Sequence, residues 1–557
     1  MVGRLGIDVR RLWLLVCALL LAGAAQVARA EQSDPLNPAP TIDRDRVDRQ
    51  VPVLPTAAPR AAPAPRVPVV DEGAATHAVT LAGFRYEGSS LPRAELDAAL
   101  APLLGRSLTR ETLQAIADTI NRVYASSDVA FYSIAIPQQV VTRGELVVRI
   151  VEGRISRYAL QKETRTTPTR LIGAHMDRLM RDRPTHKSEL ERTLSLLRDI
   201  PGQTVDAQLR TTGRPDELAL DLGVKRKQVD VAININNNGV VNVVSGVQAQ
   251  VSVAVNGLLR EGDSTRISGY LPFTPDRYQF YSLSHVTPIG ANGMMLSASA
   301  AHIRTKTEDG LRGRVTQGGL GLSYPVVRSY RRNLSLSLSL DGIDSDNYFL
   351  DTAFGAFRTR VARASASWSA IGKRGGYAVS ATVSQGLDAL GARAFAGFSE
   401  AGFTKANLQA AAVRELGSGM AVKVTVRGQH SADQLPTSER ISLGGDGAGM
   451  AFRLGAVTAE SAIAGSVELS WKVKGAKRGA GGVTVFAYSD GALAHTVARP
   501  RYNLSARDFS LASAGVGARV APFGGWTATV QVAVPVKRPF GDYGRKARVF
   551  FSLGRAI

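Results

Sequence analysis

Side chains that could perform covalent chemistry are few in this sequence and lie far apart. Among the seven histidines, His430 precedes Ser431, a potential nucleophile, and His495 lies near Asp490. Hydrolysis requires a nucleophile, a base and an orienting group within hydrogen-bond reach of one another. The chain contains no G-x-S-x-G motif, no H-E-x-x-H motif and no cluster of His, Cys or carboxylates at ligand spacing. We therefore expect no enzyme, no catalytic residue, no metal site and no cofactor.

The first 30 residues, 1–30, have the pattern of a signal peptide for export. Arg10 and Arg11 precede the apolar run LWLLVCALLLAGAA, and Ala28-Arg29-Ala30 provides an A-x-A cleavage site. The only cysteine, Cys17, lies inside this run. We expect an exported mature chain without thiols or disulfides, and no nucleic-acid partner despite a formal net charge of +21.

The residue periodicity, which indicates the secondary structure that positions any functional residue, changes near residue 227. From there to the end, residues 227–557, helical periodicity gives way to sixteen segments that alternate apolar and polar residues. In NLSLSLSLDG, Asn333 to Gly342, every leucine falls on one face of a strand and every serine on the other. An even number of such strands in an exported chain predicts a closed antiparallel transmembrane barrel, with leucines toward lipid and serines toward a wet lumen.

The part before the barrel divides into a linker and two small repeats. Residues 31–73 are rich in proline, which predicts an extended linker. Residues 74–154 follow the order β-α-α-β-β, with Thr109 a predicted helix N-cap, and residues 155–226 repeat that order, with Ser188 and Glu191 at capping-box positions. The fold class expected is α+β modules followed by an all-β, sixteen-stranded barrel.

Several motifs in this order resemble the two-partner secretion transporters of the hemolysin secretion/activation family, whose modules are polypeptide-transport-associated (POTRA) domains. They are IPQQVVTRGELVVRIVEGRI, LERTLSLLRDIPG, NNNGVVNVVSG and GLSYPVVRSYRRNLSL. The first matches the family signature at the end of the first POTRA domain. By resemblance, the residues in that signature expected to contact a client are Pro137, Gln138, Gln139, Gly144, Glu152 and Gly153. The family's Gly-Tyr before the third strand is replaced here by Asp128-Val129.

The resemblance also implies a long loop that folds into the barrel lumen. Its tip corresponds to ISLGGDGAGMAFRLG, with Gly444, Gly445, Gly449, Met450, Ala451, Phe452 and Arg453. The family's tip arginine, which pairs with a wall aspartate, is replaced by Met450, and that aspartate corresponds to Asp490. Either Arg453 reaches Asp490, or other contacts such as Phe452 hold the loop. The family's plug helix has one candidate here, residues 41–50.

The resemblance implies an outer-membrane transporter with its N-terminal domains in the periplasm. It would bind an unfolded secreted protein, a separate chain, and conduct it to the cell surface as a monomeric barrel in contact with lipid and lipopolysaccharide. The alternatives are an insertase that assembles other barrels and, less favoured, a porin-like channel. We expect the basic residues to lie at strand ends and in the lumen, or to bind lipopolysaccharide phosphates: Arg358, Arg360, Arg363, Lys423, Lys472 and Lys474.

Overall fold

The computed structural model describes residues 68–70 and 79–557, with gaps at 142, 163–166, 240–245, 274, 308–309, 350–351, 474–481, 522–524 and 542. The predicted signal peptide and the candidate plug helix at 41–50 lie outside the described residues. Within the described ranges, no helix is both long and apolar enough to cross a membrane.

The first module is a four-stranded sheet covered by two helices. Its elements are β1 Pro68–Val70, β2 Gly83–Glu87, α1 Arg93–Leu100, α2 Arg110–Ser126, β3 Tyr132–Ile136 and β4 Glu145–Glu152. The sheet order is β1-β3-β4-β2. The apolar face of α2, with Ile116 and Ile120 fully buried, packs on the sheet. As predicted, Thr109 caps α2, because its side chain accepts a hydrogen bond from the Thr112 N–H.

The edge strand β1 comes from the segment that the sequence predicts to be linker. Its residues Pro68, Val69 and Val70 pair in parallel with Ile134, Ala135 and Ile136 of β3. Parallel pairing at an edge needs only backbone groups, so a proline can start such a strand without loss. The covered edge is the outer edge of β3.

The second module repeats the arrangement with three strands. Its elements are β5 Arg154–Lys162, α3 Thr169–Met180, α4 Lys187–Asp199, β6 Gln203–Thr211 and β7 Glu217–Arg226. The central strand β7 pairs in parallel with β5 and antiparallel with β6, as β4 does with β2 and β3 in the first module. The tandem repeat predicted from the sequence is therefore present in the backbone.

The N-terminus of α4 is capped differently from the prediction. Helix α4 begins at Lys187, and no capping box joins Ser188 to Glu191. Instead, Asp128 of the first module accepts hydrogen bonds from the Ser188 N–H at 3.0 Å and from the Ser188 hydroxyl at 2.5 Å. A carboxylate from outside the helix thus satisfies its first N–H groups and interacts well with the positive end of the helix dipole.

Sixteen antiparallel strands form one closed barrel, as predicted. They are β8 Val229–Asn236, β9 Gln248–Asn256, β10 Ser264–Pro272, β11 Tyr278–Ile289, β12 Met294–Lys306, β13 Leu311–Arg328, β14 Arg332–Phe349, β15 Thr352–Gly372, β16 Gly375–Gly386, β17 Thr404–Gly417, β18 Met420–His430, β21 Ser461–Val473, β22 Val483–Thr496, β23 Arg507–Val520, β24 Trp526–Lys537 and β25 Arg548–Ala556. Strands β19 Ile441–Leu443 and β20 Val457–Ala459 form a separate pair inside.

The leucines of β14 lie on the outer surface of the barrel. Leu338 is 61% exposed, and Leu336 and Leu340 on the same face are also exposed. Residues on the opposite face turn inward, where the Ser339 hydroxyl donates to Asp341 Oδ2 at 3.2 Å. Alternation along the strand therefore separates an apolar outer surface from a polar lumen.

The second module is docked against the periplasmic turns of the barrel. Glu261, in the turn between β9 and β10, accepts hydrogen bonds from the Arg170 and Leu171 N–H groups at the start of α3, at 3.1 and 3.2 Å. Arg328 at the end of β13 forms a two-pronged ion pair with Asp199, with distances of 2.6 and 2.5 Å. These contacts fix the module against the same end of the barrel at two places.

Candidate functional site: the lumen loop

The connection between β18 and β21, residues 431–460, folds back into the barrel; we call it the lumen loop. Its two limbs pair as β19 and β20, with Ile441 opposite Ala459 and Leu443 opposite Val457. The segment 444–456 between them is the loop tip. The antiparallel pairing makes the lumen loop a hairpin that projects inward.

Glycines allow the loop tip to turn sharply. Gly444, Gly445 and Gly449 have φ values of +102°, +72° and +105°, which side chains strongly disfavour. The Gly445 N–H donates to Phe452 O at 2.9 Å, and the Phe452 N–H donates to Gly449 O at 2.9 Å. A Cβ at Gly449 would lie 2.2 Å from Leu511 on the barrel wall, so this position also needs glycine for close approach.

Asp490 lies on the inner wall of β22 beside the loop tip and holds it through backbone groups. The Met450 N–H donates to Asp490 Oδ2 at 2.9 Å. Ser513, directly opposite Asp490 on β23, donates its hydroxyl to Asp490 Oδ1 and accepts from the Ala451 N–H at 3.2 Å. The side chain of residue 450 is thus not needed for this contact.

Arg453 does not take the place of the family's arginine. The hydrogen-bond partners of Asp490 are Ser513 and backbone N–H groups of the loop tip, and no ion pair joins Asp490 to Arg453 among the described residues. Sequence reasoning missed Ser513. Its only signal is its strand register opposite Asp490, which cannot be read from either strand alone.

Apolar packing adds to these hydrogen bonds. Phe452 is completely buried and lies edge-to-face against Tyr543, with ring centroids 5.1 Å apart. Met450, with 6% exposure, packs in the same cluster. The wall beneath the loop tip is built from small residues that make room for it: Ala462, Ala464, Ala492, Ala494 and Ala533. Met450 therefore contributes burial where an arginine would contribute charge.

A cavity of about 210 Å³ adjoins the loop tip on the side of β8–β11. Its lining combines aromatic rings, amides and one carboxylate: Asn236, Asn238, Gln250, Tyr270, Tyr278, Phe280, Gly445, Asp446, Met450, Leu454 and Phe550. The loop tip thus packs tightly on β21–β24 and faces open space on the opposite side.

Buried ion pairs hold the base of the lumen loop. Glu439 is fully buried, and its carboxylate lies 2.8 Å from both Arg363 and Lys405 on the barrel wall. Arg363 also pairs with Asp341 at 3.0 Å. Removing one partner of such a group leaves a buried charge uncompensated, which is strongly destabilising.

A second buried carboxylate fixes the other limb of the loop. Glu460 lies 2.8 Å from Arg440 and 2.6 Å from Arg499, and all three side chains are buried. Both guanidinium groups lie over the ring of Phe398, at 5.3 and 4.9 Å from its centroid. The lumen loop is therefore held by buried ion pairs at its base, and at its tip by Asp490, Ser513, apolar packing and a 3.4 Å hydrogen bond from the Arg548 guanidinium to Ala451 O.

The structure places the basic residues named from the sequence in different settings. Arg363 faces the lumen, whereas Arg358 and Arg360 face outward and pair with Asp346 and Asp344 at 2.8 and 2.7 Å. Lys474 lies outside the described residues. Arg358 and Arg360 face outward, but each already pairs with a carboxylate of the barrel itself, so both are poorly suited to bind an anion from outside.

The residues of the first POTRA signature are largely engaged inside the module. The Gln139 side chain pairs with the backbone of Val147, with two 2.8 Å hydrogen bonds. Gly144 has φ +75°, and a Cβ there would lie 2.6 Å from Thr80 O. These two positions close the β3–β4 connection, and neighbouring Pro137 is half-buried while Gln138 is exposed.

The end of the signature joins the two modules. Glu152 accepts hydrogen bonds from the Ser90 N–H at 2.8 Å and the Tyr124 hydroxyl at 2.7 Å. The Gly153 N–H donates to Phe131 O, and Gly153 O accepts from the Thr185 N–H. Contact of this signature with a client remains a prediction.

The histidines considered for catalysis do not assemble with a nucleophile and a carboxylate. Asp490 and His495 lie on opposite faces of β22; His495 is half-exposed and contacts Asp508 at 2.7 Å. The Ser431 hydroxyl donates to Thr404 O, away from His430. Within the described ranges, no group of three or more His, Cys, Asp or Glu is arranged to hold a metal ion.

Comparison with known families decides what this architecture is. The family described as "Haemolysin secretion/activation protein ShlB/FhaC/HecB" matches residues 218–520, more than half of the chain. The chain belongs to this haemolysin secretion/activation family. Residues 79–153 match the ShlB-type POTRA domain. The protein is accordingly an outer-membrane transporter of two-partner secretion, whose POTRA domains lie in the periplasm, and its family acts with a secreted partner protein.

Solved structures of similar fold agree with this family. CdiB from Escherichia coli has a TM-score of 0.71 and 18% identity, covering 89% of this chain and 94% of that one. CdiB from Acinetobacter baumannii has a TM-score of 0.64 and 14% identity, covering 100% of both chains. BamA from Haemophilus ducreyi lacking POTRA domains 1-3 has a TM-score of 0.50 and 13% identity, covering 86% and 100%. No curated protein matches the chain.

Proposed function

We propose that this transporter captures an extended secreted protein at its periplasmic modules and conducts it through the barrel when the loop tip leaves the wall. The observation that carries the proposal is the lumen loop, which is fixed at its base by buried ion pairs and at its tip by Asp490 and Ser513. A loop held in this way can release its tip while its base stays attached.

Capture of an unfolded chain suits an open sheet edge, because backbone hydrogen bonds recognise an extended segment of any sequence. In the second module, β7 is the one strand paired with β6 among the described residues, which leaves the outer edge of β6 available. In the first module, β1 already covers the outer edge of β3. We therefore assign first capture to β6, with β1 as a segment that a client must displace to use β3.

The same proposal includes transport without catalysis, a monomeric barrel that can conduct ions when the tip is released, and contact with lipid and lipopolysaccharide. Closure of all sixteen strands within one chain supports the monomer. The scattered, differently partnered histidines support the absence of catalysis.

The test is a comparison of the surface and secreted proteomes of cells with the protein, without it, and with it restored. We expect one or a few large secreted proteins to disappear with the protein and to return on restoration, while other outer-membrane barrels stay unchanged. A joint loss of many barrels would show an insertase instead. Unchanged secretion, with the partner's transcript present, would contradict the proposal.

A further inference from the structure

Five basic residues on neighbouring strands form a cluster at the far end of the barrel from the POTRA modules. They are His302, Arg304 and Lys306 on β12 and Arg312 and Arg314 on β13, and we call them the basic patch. In register, Arg304 lies opposite Arg314 and Lys306 opposite Arg312. Like charges directly across two strands repel each other, so this arrangement favours an added anion.

The basic patch faces away from the lumen. Arg312 and Arg314 share the face of β13 that carries Leu320 and Leu322, which are 60% and 37% exposed on the outer surface. Val315, on the opposite face of β13, is buried, as is Ile303 on β12. Because side chains alternate along a strand, the basic patch belongs to the outer wall.

The position of the basic patch along the strands matches the outer boundary of the membrane. Strand β13 has 18 residues. Its last residue, Arg328, lies at the periplasmic end of the barrel, beside Asp199 of the second module. An apolar band about 25 Å tall takes up about 10 residues of a tilted strand. Tyr324, Leu322 and Leu320 fall within this band, and Arg314 and Arg312 lie beyond it. Head groups of the outer leaflet are at this level.

Within the described ranges, the carboxylates of β14 beside the basic patch are already engaged. Asp346 lies opposite Arg314 in the β13–β14 register, but it pairs with Arg358, and Asp344 pairs with Arg360. Among the described residues, Arg304, Lys306 and Arg314 have no acidic partner, and Arg304 donates only to His302, at 3.3 Å. The positive charge of Arg304, Lys306 and Arg314 is therefore not neutralised by an acidic side chain in the part of the chain that the structure describes.

We propose that the basic patch binds the phosphate groups of lipopolysaccharide in the outer leaflet. Guanidinium groups fit phosphate oxygens in a two-pronged geometry, and two arginines opposite each other can engage one phosphate from both sides. This inference rests on the proposed contact of the barrel with lipopolysaccharide and adds the residues that make it. It corrects the assignment of that role to Arg358 and Arg360, which pair internally.

The test measures binding of lipid A, the phosphorylated anchor of lipopolysaccharide, to the purified full-length chain in detergent without divalent cations. Native mass spectrometry would compare lipid A carrying two phosphates with the same lipid after dephosphorylation. The variant Arg304→Ser/Lys306→Ser/Arg314→Ser is compared with the matched control Lys373→Ser/Arg374→Ser/Arg414→Ser. The control also removes three exposed positive charges, at the periplasmic end.

We expect the natural chain and the control to bind phosphorylated lipid A at least tenfold more tightly than the dephosphorylated lipid, and the patch variant to lose this difference. Heat-dependent gel mobility would verify that each barrel is folded. Equal binding by the patch variant and the control, or no preference for phosphate in the natural chain, would overturn the proposal. The secretion proteome tests the transport function separately, so failure of one does not imply failure of the other.

Discussion

At the scale of residues, hydrogen bonds from neutral donors join the loop tip to Asp490 on the barrel wall. The Asp490 carboxylate accepts hydrogen bonds from the Met450 N–H and the Ser513 hydroxyl, and the Ser513 hydroxyl oxygen accepts one from the Ala451 N–H. Phe452 and Met450 add apolar burial. This set of neutral donors needs no arginine at position 450, and it gives Ser513 a central position because its one hydroxyl serves two partners.

The substitution Ser513→Ala should loosen the loop tip. It removes the donor to Asp490 and leaves the Ala451 N–H without its partner, at a cost of about 1–3 kcal/mol. That cost corresponds to a roughly 5- to 150-fold rise in the fraction of time the tip is released. Single-channel recording in planar bilayers would measure it as longer open times. The matched control is Asp508→Ala on the same strand, whose carboxylate contacts His495 on the outer face; open times equal in both variants would contradict the prediction.

His175 should make the stability of the second periplasmic module depend on pH. Burial on α3, assisted by the positive charges of Arg178 and Arg192, lowers the pKa of His175 from 6.5 to about 4. Between these values the unfolded chain binds a proton that the folded one does not, so stability falls as the pH drops from about 6.5 to about 4. The lost contribution approaches about 3 kcal/mol.

Hydrogen exchange of the α3 amides in the full-length protein would test this, as opening free energies at about pH 6.5 and about pH 4.5. His175→Leu should flatten the pH dependence. The hydrogen bond to Asp182 raises the pKa of His186, so that residue contributes in the opposite direction: its stabilisation is present at low pH and lost as pH rises. An unchanged slope in His175→Leu would exclude His175 as the source.

At the scale of elements, the junction of the two periplasmic modules is built from complementary helix ends. Asp128 caps the N-terminus of α4, while the Lys187 ammonium donates to the carbonyls of Tyr124, Ala125 and Ser127 at the end of α2, at 3.2, 3.0 and 2.6 Å. A carboxylate at a helix start and a cation at a helix end both oppose the helix dipole. Asp128, at the position where the resemblance places the family's Gly-Tyr, thus joins the two modules.

Replacing Asp128 by Ala should weaken this junction by about 1 kcal/mol, the usual value of an N-cap. We expect roughly fivefold faster exchange of the first α4 amides, with the barrel strands unaffected. Asp118→Ala on α2, whose carboxylate accepts only from Gln114 one helical turn away, provides the control. Equal protection of α4 in both variants would show that Asp128 does not stabilise the helix.

The elements most readable from the sequence are those with strong local periodicity. The Leu-Ser alternation of β14 and the apolar stripe of α2 define a strand and a helix without reference to the rest of the chain. The cap of α4 could not be read in this way, because Asp128 lies in another module. The same holds for β1, whose partner is β3, and for Ser513, which meets Asp490 only through the register of β22 and β23. Contacts that depend on long-range pairing need the structure.

At the scale of the whole molecule, rigid and releasable contacts lie in different places. The two periplasmic modules are joined through Asp128 and Lys187, and the second module is fixed to the barrel through Glu261 and Arg328. The base of the lumen loop is held by buried ion pairs, whereas its tip is held by hydrogen bonds and packing. Release of the loop tip is therefore the large movement that breaks the fewest strong contacts. It would widen the path from the periplasmic modules through the barrel.

Locking the loop tip to the wall should stop secretion reversibly. Ala451 and Ser513 are neighbours, with 3.2 Å between the Ala451 N and Ser513 Oγ atoms, and the mature chain contains no other cysteine because Cys17 lies in the predicted signal peptide. Ala451→Cys/Ser513→Cys can therefore form one defined disulfide. We expect release of the partner protein to fall to background in the oxidised variant and to recover with a reductant.

In the control Ala451→Cys/Asp508→Cys, the second position faces outward, so both thiols stay free and secretion continues. Full secretion by a quantitatively cross-linked variant would show that the chain passes without release of the loop tip.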